Sequence, residues 1–333
     1  MARFGFENNE RYKESDMKTL MTLGVTAVVS MTGSLTQAAD LVLGVPAWPS
    51  AAATSHILKK VMEDNLGLEV ALQSGTNAVI FEAMDRGSMH LHPEVWLPNQ
   101  QNLHDKYVNE NGTVVQNQHG VQATQGICVT KDTSEKYNIK SIYDLTNSEK
   151  AALFDTDGDG IGEMWAGQPG AASTTVEKIK AKSYGYDETM NLLELDTPLN
   201  WAALDAAVKA DKPYMFSCYT PHHIFAMHDL VMLEEPPHNA QTWKVIQPTD
   251  DADWLAKSNA DSAWDDAYLY IHYAKSLEKD QPEAALLLKN FKINSDVLAD
   301  LSFAMVVDKK DPETLADEWV EENSELVESW LGQ

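Results

Sequence analysis

The chain has 333 residues, 44% of them hydrophobic and 8% aromatic, with a formal net charge of −26. That length and composition describe a globular protein with room for two domains, and exclude a disordered or a membrane-embedded chain. The acidity argues against nucleic acid and anionic membrane surfaces as partners.

Met17-Lys18, an apolar run from Leu20 to about Met31, and the small and polar residues Thr36-Gln37-Ala38-Ala39 follow the pattern of a secretory leader. The run is too short to span a membrane. Residues 1–39 are set aside as leader, whose charges balance (Arg3, Arg11, Lys13 and Lys18 against Glu7, Glu10, Glu14 and Asp16), so the mature chain carries the whole negative charge. Leu41–Val45 then predicts a first strand, closed by Pro46, with Trp48-Pro49-Ser50 leading into a helix over Ala51–Asn65. Leu68–Leu72 predicts a second strand, Thr76-Asn77 a helix start that runs to Gly87, and Met89–His92 a third strand. Such β-α-β-α-β alternation implies an α/β fold with mostly parallel sheets. A tryptophan at the C-terminal end of a strand, just before a helix, stands where such sheets bind ligands.

His92-Pro93-Glu94-Val95-Trp96-Leu97-Pro98 follows at once. Two prolines predict a stiff, irregular segment, and residues two apart in an extended chain share a side. Glu94 and Trp96 are therefore expected to line one wall, offering an aromatic face and a negative charge to a methylated ammonium group. Asn99–Asn117 is polar, and Gly120–Thr130 predicts a strand. Helices are expected near Tyr143–Leu145, Ser148–Leu153, Ser173–Lys182 and Trp201–Ala210, and a strand at Tyr214–Tyr219. Ala267–Ala274 is compatible with strand or helix start; Pro282–Phe291 and an acidic stretch over Leu315–Leu331 predict helices.

Asp155, Asp157 and Asp159, followed by Gly160, Ile161 and Glu163, have the spacing of a loop that wraps oxygens around calcium, Ile161 through its carbonyl. The twelfth position is Ala166, so Glu163 would replace the usual bidentate glutamate; a structural Ca²⁺ is expected and no organic cofactor. His90, His92, His222 and His223 lack the companions of a zinc site and predict hydrogen-bonded loop histidines. Cys128 and Cys218, 90 residues apart in apolar runs, favour buried free thiols over a disulfide. No Walker A, GxGxxG or GxSxG motif and no nucleophile–base pair occurs, so an enzyme acting on a methylated amine is not supported. Trp48, Trp96, Trp165 and Tyr219 all sit at predicted strand or loop ends; converging on one cleft, they would form an aromatic cage.

With Val45-Pro46-Ala47-Trp48, Glu94–Pro98, Leu153–Gly160, Gln168-Pro169-Gly170 and Tyr219-Thr220-Pro221 in place, the mature chain resembles the substrate-binding proteins of ABC importers for glycine betaine, proline betaine and choline, looking most like a trimethylamine N-oxide-binding branch. The resemblance implies a two-lobed periplasmic-binding-protein fold with the ligand cleft between lobes, here 40–122 plus 266–333 and 123–265. It implies a periplasmic monomer, a methylated amine as ligand, and permease and ATPase subunits as partners. Trp96 and Trp48 fall on cage tryptophans of the family, and Tyr219 falls where relatives place a tryptophan. Ala171 stands where glycine betaine binders carry a further cage tryptophan, with Trp165 the nearest substitute. Betaines carry a carboxylate, yet Arg86 is the one arginine after the leader and Glu94 adjoins the expected cage. A ligand without a carboxylate fits better: trimethylamine N-oxide first, with its oxygen sharing a proton with Glu94, then choline, then glycine betaine.

Overall fold

A computed structural model describes residues 39–332. The expected leader lies outside the described residues, except for Ala39. Ten strands form one continuous sheet: β1 (Leu41–Val45), β2 (Val70–Ser74), β3 (Leu91–Leu97), β4 (Val114–Gln116), β5 (Val121–Thr130), β6 (Gly162–Gly167), β7 (Met190–Glu194), β8 (Met215–Thr220), β9 (Leu230–Met232) and β10 (Ala267–Ala274). Their order is β2-β1-β3-β10-β5-β8-β6-β7, with β4 on β10 and β9 on β5.

Parallel pairs occupy both ends of this path, β2-β1-β3 and β8-β6-β7. The middle is antiparallel and is made by β5 and β10. β5 pairs with β10 through Val121–Ala123 and with β8 through Thr124–Val129, so one strand belongs to both halves. Each half has its own core. One gathers Leu41, Leu58, Leu91, Ile271, Leu288 and Trp330; the other gathers Ile127, Leu145, Phe154, Met164, Tyr186 and Met215. This is the two-lobed α/β architecture that the β/α alternation and the resemblance implied.

Local chemistry sets the elements that border the cleft. Helix α1 (Pro49–Leu66) begins with a proline whose missing N–H faces no helical acceptor, and ends at Gly67, whose φ of 66° suits a residue without Cβ. Helix α2 (Asn77–Asp85) starts where the Thr76 hydroxyl accepts from Val79 N–H. It packs so tightly on β1 that a Cβ at Gly44 would come within 2.5 Å of Ile80.

Four expectations are corrected. The stretch from His92 to Leu97 is not irregular but part of β3; Tyr270 pairs with Val95 and His272 with His92, so three steps of β3 oppose two of β10. The bulge falls at Pro93 and Glu94, where a residue with no N–H loses no ladder bond. Trp165 lies inside a fully buried strand, β6, rather than at a loop end. Cys128 and Cys218 form a disulfide: β5 and β8 are antiparallel neighbours, and the register of Cys128 opposite Phe216 puts Cys218 diagonally across on the same face. The C-terminal acidic stretch is two helices, Pro312–Glu322 and Ser324–Leu331, broken at Asn323, whose side chain donates to the Trp319 carbonyl. The break brings Trp330 back onto Trp319 and into the core.

Candidate ligand-binding site

The chain reversal from β1 to α1, the bulged end of β3 and the end of β8 meet around one carboxylate. Glu94 is 2% exposed. Its Oε1 accepts from Trp48 Nε1 at 2.8 Å, Ser50 Oγ at 3.0 Å and Trp96 Nε1 at 3.2 Å. Trp48 caps α1 with its backbone and Ser50 lies in the first turn, so both reach Glu94 from the helix start. Trp96 reaches it from two residues along the same strand, as the alternation of β3 requires. Both tryptophans are half-buried, while the carboxylate they share is buried.

Burial pushes the Glu94 carboxyl up to about 7, against the opposing pull of the three donors. Its Oε2 has no protein partner, and neither does the nearby Thr54 Oγ1. Both residues line a small cavity of about 10 Å³, which His119 and Asn117 also border. The oxygen not used by the indoles is therefore buried and unpaired. Glu94 thus gathers the N–H edges of both indoles on one oxygen.

Tyr219, at the end of β8, meets Trp96 edge to face from the second lobe, and burial raises its phenol well above the ordinary range. Two residues escaped sequence reading here. Ser50 is one, an ordinary serine in a helix start. His222 is the other: its ring lies 4.8 Å from that of Tyr219 and 5.0 Å from that of Trp201. Burial lowers it to about 3 and so keeps it neutral, and its Nδ1 accepts from Ile224 N–H. Trp165 reaches this group only through Trp201; it is buried with Cys128, Phe216 and Cys218, and its Nε1 donates to the Leu195 carbonyl at 2.9 Å.

His92 is buried inside β3 rather than in a loop, with Nδ1 accepting from Glu94 N–H, so Nε2 donates to Asn77 Oδ1 at 2.8 Å. Burial holds it near 3 and uncharged, which fixes the backbone just before Glu94. Across the lobes, Asn99 and Gln125 exchange two amide hydrogen bonds, at 2.8 and 3.0 Å. Arg86 is remote from this chemistry, on the surface in an ion pair with Glu82.

The acidic loop lies apart. Asp155, Asp157, Asp159 and Glu163 bring carboxylate oxygens within 4.8 Å of one another. Asp155 accepts from Gly158 N–H at 2.6 Å and Gly160 N–H at 2.8 Å, which lowers its carboxyl pKa. Glu163 accepts from the Thr156 hydroxyl at 2.6 Å. The side chain of Ile161 points to solvent, leaving its carbonyl as the one donor it could offer.

Among solved structures, the fold is similar to lactococcal OpuAC complexed with glycine betaine (TM-score 0.66, 21% identity, covering 87% of this chain and 98% of that one). It is similar to an ABC-transporter choline-binding protein in complex with choline (TM-score 0.66, 16% identity, 88% and 92%). By sequence, it is 31% identical over 150 residues to the glycine betaine-binding periplasmic protein OusX of Dickeya dadantii, which is 41% of this chain and 44% of that one. It is 23% identical over 253 residues to the glycine betaine/proline betaine-binding periplasmic protein of Escherichia coli, 72% of each. The matched segment spans less than half of OusX and 36% of the Salmonella typhimurium glycine betaine/proline betaine-binding protein. Residues 39–322 match the OpuAC family, and the chain belongs to that family, the substrate-binding domains of ABC-type glycine betaine transport systems.

Proposed function

We propose that this chain captures a methylated ammonium osmolyte in the periplasm and delivers it to the permease and ATPase of an ABC importer. The observation that carries this reading is the meeting of Trp48 and Trp96 on Glu94, with Tyr219 against Trp96 from the other lobe. Aromatic faces attract a cation by about 0.5–2 kcal/mol each, and more strongly where water is excluded. Closure of lobe 40–122 plus 266–333 on lobe 123–265 would complete the cage.

Trimethylamine N-oxide is the first candidate ligand. It carries the trimethylated nitrogen without the carboxylate that a buried Glu94 would repel, and the one arginine among the described residues is engaged elsewhere. Glycine betaine, the ligand named in the family description, and choline are the alternatives. Titration calorimetry of residues 40–333 against the three compounds ranks them. Micromolar binding to one, with the others much weaker, is expected; heat from none of them would remove the cage.

We further propose a structural Ca²⁺ on Asp155, Asp157, Asp159, the Ile161 carbonyl and Glu163, supported by the clustering of four oxygen donors of the hard type that calcium takes. Calcium is expected to raise the melting temperature of EDTA-treated protein. A midpoint that moves with neither reagent would reduce the loop to a self-bonded turn.

A further inference from the structure

Glu94 has a role other than contact with the ligand. Trp48 follows β1 and Trp96 ends β3, so nothing in the local chain fixes the angle between their rings. One oxygen does: Oε1 takes both indole N–H groups and the Ser50 hydroxyl. An indole has only one N–H to donate, so each ring is held by its single polar handle. The oxygen is itself held. Pro93 stiffens the bulge before it, His92 Nδ1 accepts the Glu94 N–H, and the first turn of α1 supplies Ser50. The second oxygen, Oε2, is sealed in the first lobe beside Thr54.

Resting on the cage reading above, we propose that Glu94 is a positioning residue. Its Oε1 locks the indoles of Trp48 and Trp96 at a common point, and its negative charge, delivered to the N–H edges, makes both ring faces more attractive to a trimethylammonium group. A charged acceptor strengthens each N–H bond relative to a neutral one. A neutral acceptor would push less electron density from the N–H bond into the ring, leaving its faces less negative. The same charge, placed behind the rings, favours a cation and disfavours a ligand carboxylate without touching either. It follows that the site distinguishes charge from shape: a trimethylammonium group and a tert-butyl group have the same outline, and Glu94 separates them.

The titratable groups that face Glu94 are few. His92 precedes it on β3 and is neutral by burial, His119 borders the cavity at Oε2, and Tyr219 approaches from β8 as an un-ionised phenol. The carboxyl itself titrates near neutrality. Charge on Oε1, and with it the grip on the rings, therefore grows between about pH 6 and pH 8.

The test uses tetramethylammonium as cation, and choline against its neutral carbon isostere 3,3-dimethyl-1-butanol, on wild type and Glu94→Gln. The amide keeps the shape and one acceptor oxygen while removing the charge. Wild type is expected to prefer choline to the alcohol, and to bind tetramethylammonium more tightly at pH 8 than at pH 6. Glu94→Gln should lose about tenfold in tetramethylammonium affinity, lose most of the preference for choline, and show no pH dependence over that range. Independently of any ligand, the two indole ¹H–¹⁵N resonances of Trp48 and Trp96 should shift together with one midpoint near neutrality in wild type, and not in the variant. A variant that keeps the wild-type ratio of choline to alcohol, or indole resonances that do not titrate together in wild type, would overturn the proposal. Wild type that binds no tetramethylammonium but shows the paired titration would instead refute the cage reading and leave the clamp standing.

Discussion

The ring of Tyr219 on β8 meets the ring of Trp96 on β3 edge to face, with centroids 5.2 Å apart and planes at 85°. The two residues come from different halves of the sheet and are joined in sequence only through the crossing strands. The contact is one of the points at which the lobes touch.

Trp96→Ala removes the ring, the contact with Tyr219 and one of the donors to Glu94. Binding of a trimethylammonium ligand should fall at least about tenfold. The thermal transition should persist, because Trp96 is half-buried and lies outside the main cores. Calorimetry and a melting curve on the same sample check both halves. Unchanged affinity would exclude Trp96 from the site.

Glu94 links folding to pH with a sign opposite to that of an ordinary paired carboxylate. Its folded pKa, about 7, lies above the ordinary value of 4.5, so between these values the native state holds a proton that the unfolded chain has lost. The stabilising contribution is complete below about 4.5 and disappears as pH rises through about 7. At full effect it is about 3 kcal/mol. Ligand-free wild type should lose stability relative to Glu94→Gln as pH goes from 5 to 8. Parallel pH–stability curves for the two would show that Glu94 titrates normally.

The Cys128–Cys218 bond closes a loop of 90 residues in the second lobe. Replacing both cysteines by serine should lower unfolding free energy by about 2–5 kcal/mol, seen as a lower denaturant midpoint. Reduction of the wild type should do the same. A midpoint indifferent to reductant would mean that the thiols are free, as their apolar surroundings first suggest.

Lys180, fully buried on the helix Ala172–Tyr184, pairs with Glu235 at 2.7 Å, while Tyr184 donates to the other oxygen of Glu235 at 3.0 Å. Lys180→Met leaves Glu235 buried with the phenol alone, and should cost about 3–5 kcal/mol of stability. Lys180→Met combined with Glu235→Gln should recover part of that loss. A single variant as stable as wild type would show that water already reaches the pair.

Much of the first lobe was legible along the chain, for local reasons. Leu41–Val45 is strand as expected, and Thr76 caps the second helix from the position its sequence proposed. Glu94 and Trp96 do share a side, because period-two alternation survives the bulge at Pro93. What was not legible depends on register and on long-range neighbours. The disulfide needs β5 beside β8 in one particular alignment, which no spacing of two cysteines reveals. β6 reads Gly-Glu-Met-Trp-Ala-Gly, with polar and conformationally loose residues that disguise a buried strand; at its start, a Cβ on Gly162 would come within 2.2 Å of the Ala151 carbonyl. Glu94 was visible as a carboxylate next to a tryptophan, but its place behind two rings was not. That arrangement depends on α1 starting where Trp48 and Ser50 can turn toward β3.

Two of the contacts across the cleft are uncharged: the paired amides of Asn99 and Gln125, and the rings of Trp96 and Tyr219. Exposed ion pairs lose strength as dissolved salt shortens the reach of their fields, to about 8 Å at physiological ionic strength and less beyond it. Amide hydrogen bonds and ring edges have no net charge to screen. These two contacts are therefore expected to keep their strength as salinity rises, while the exposed ion pairs of the same molecule weaken.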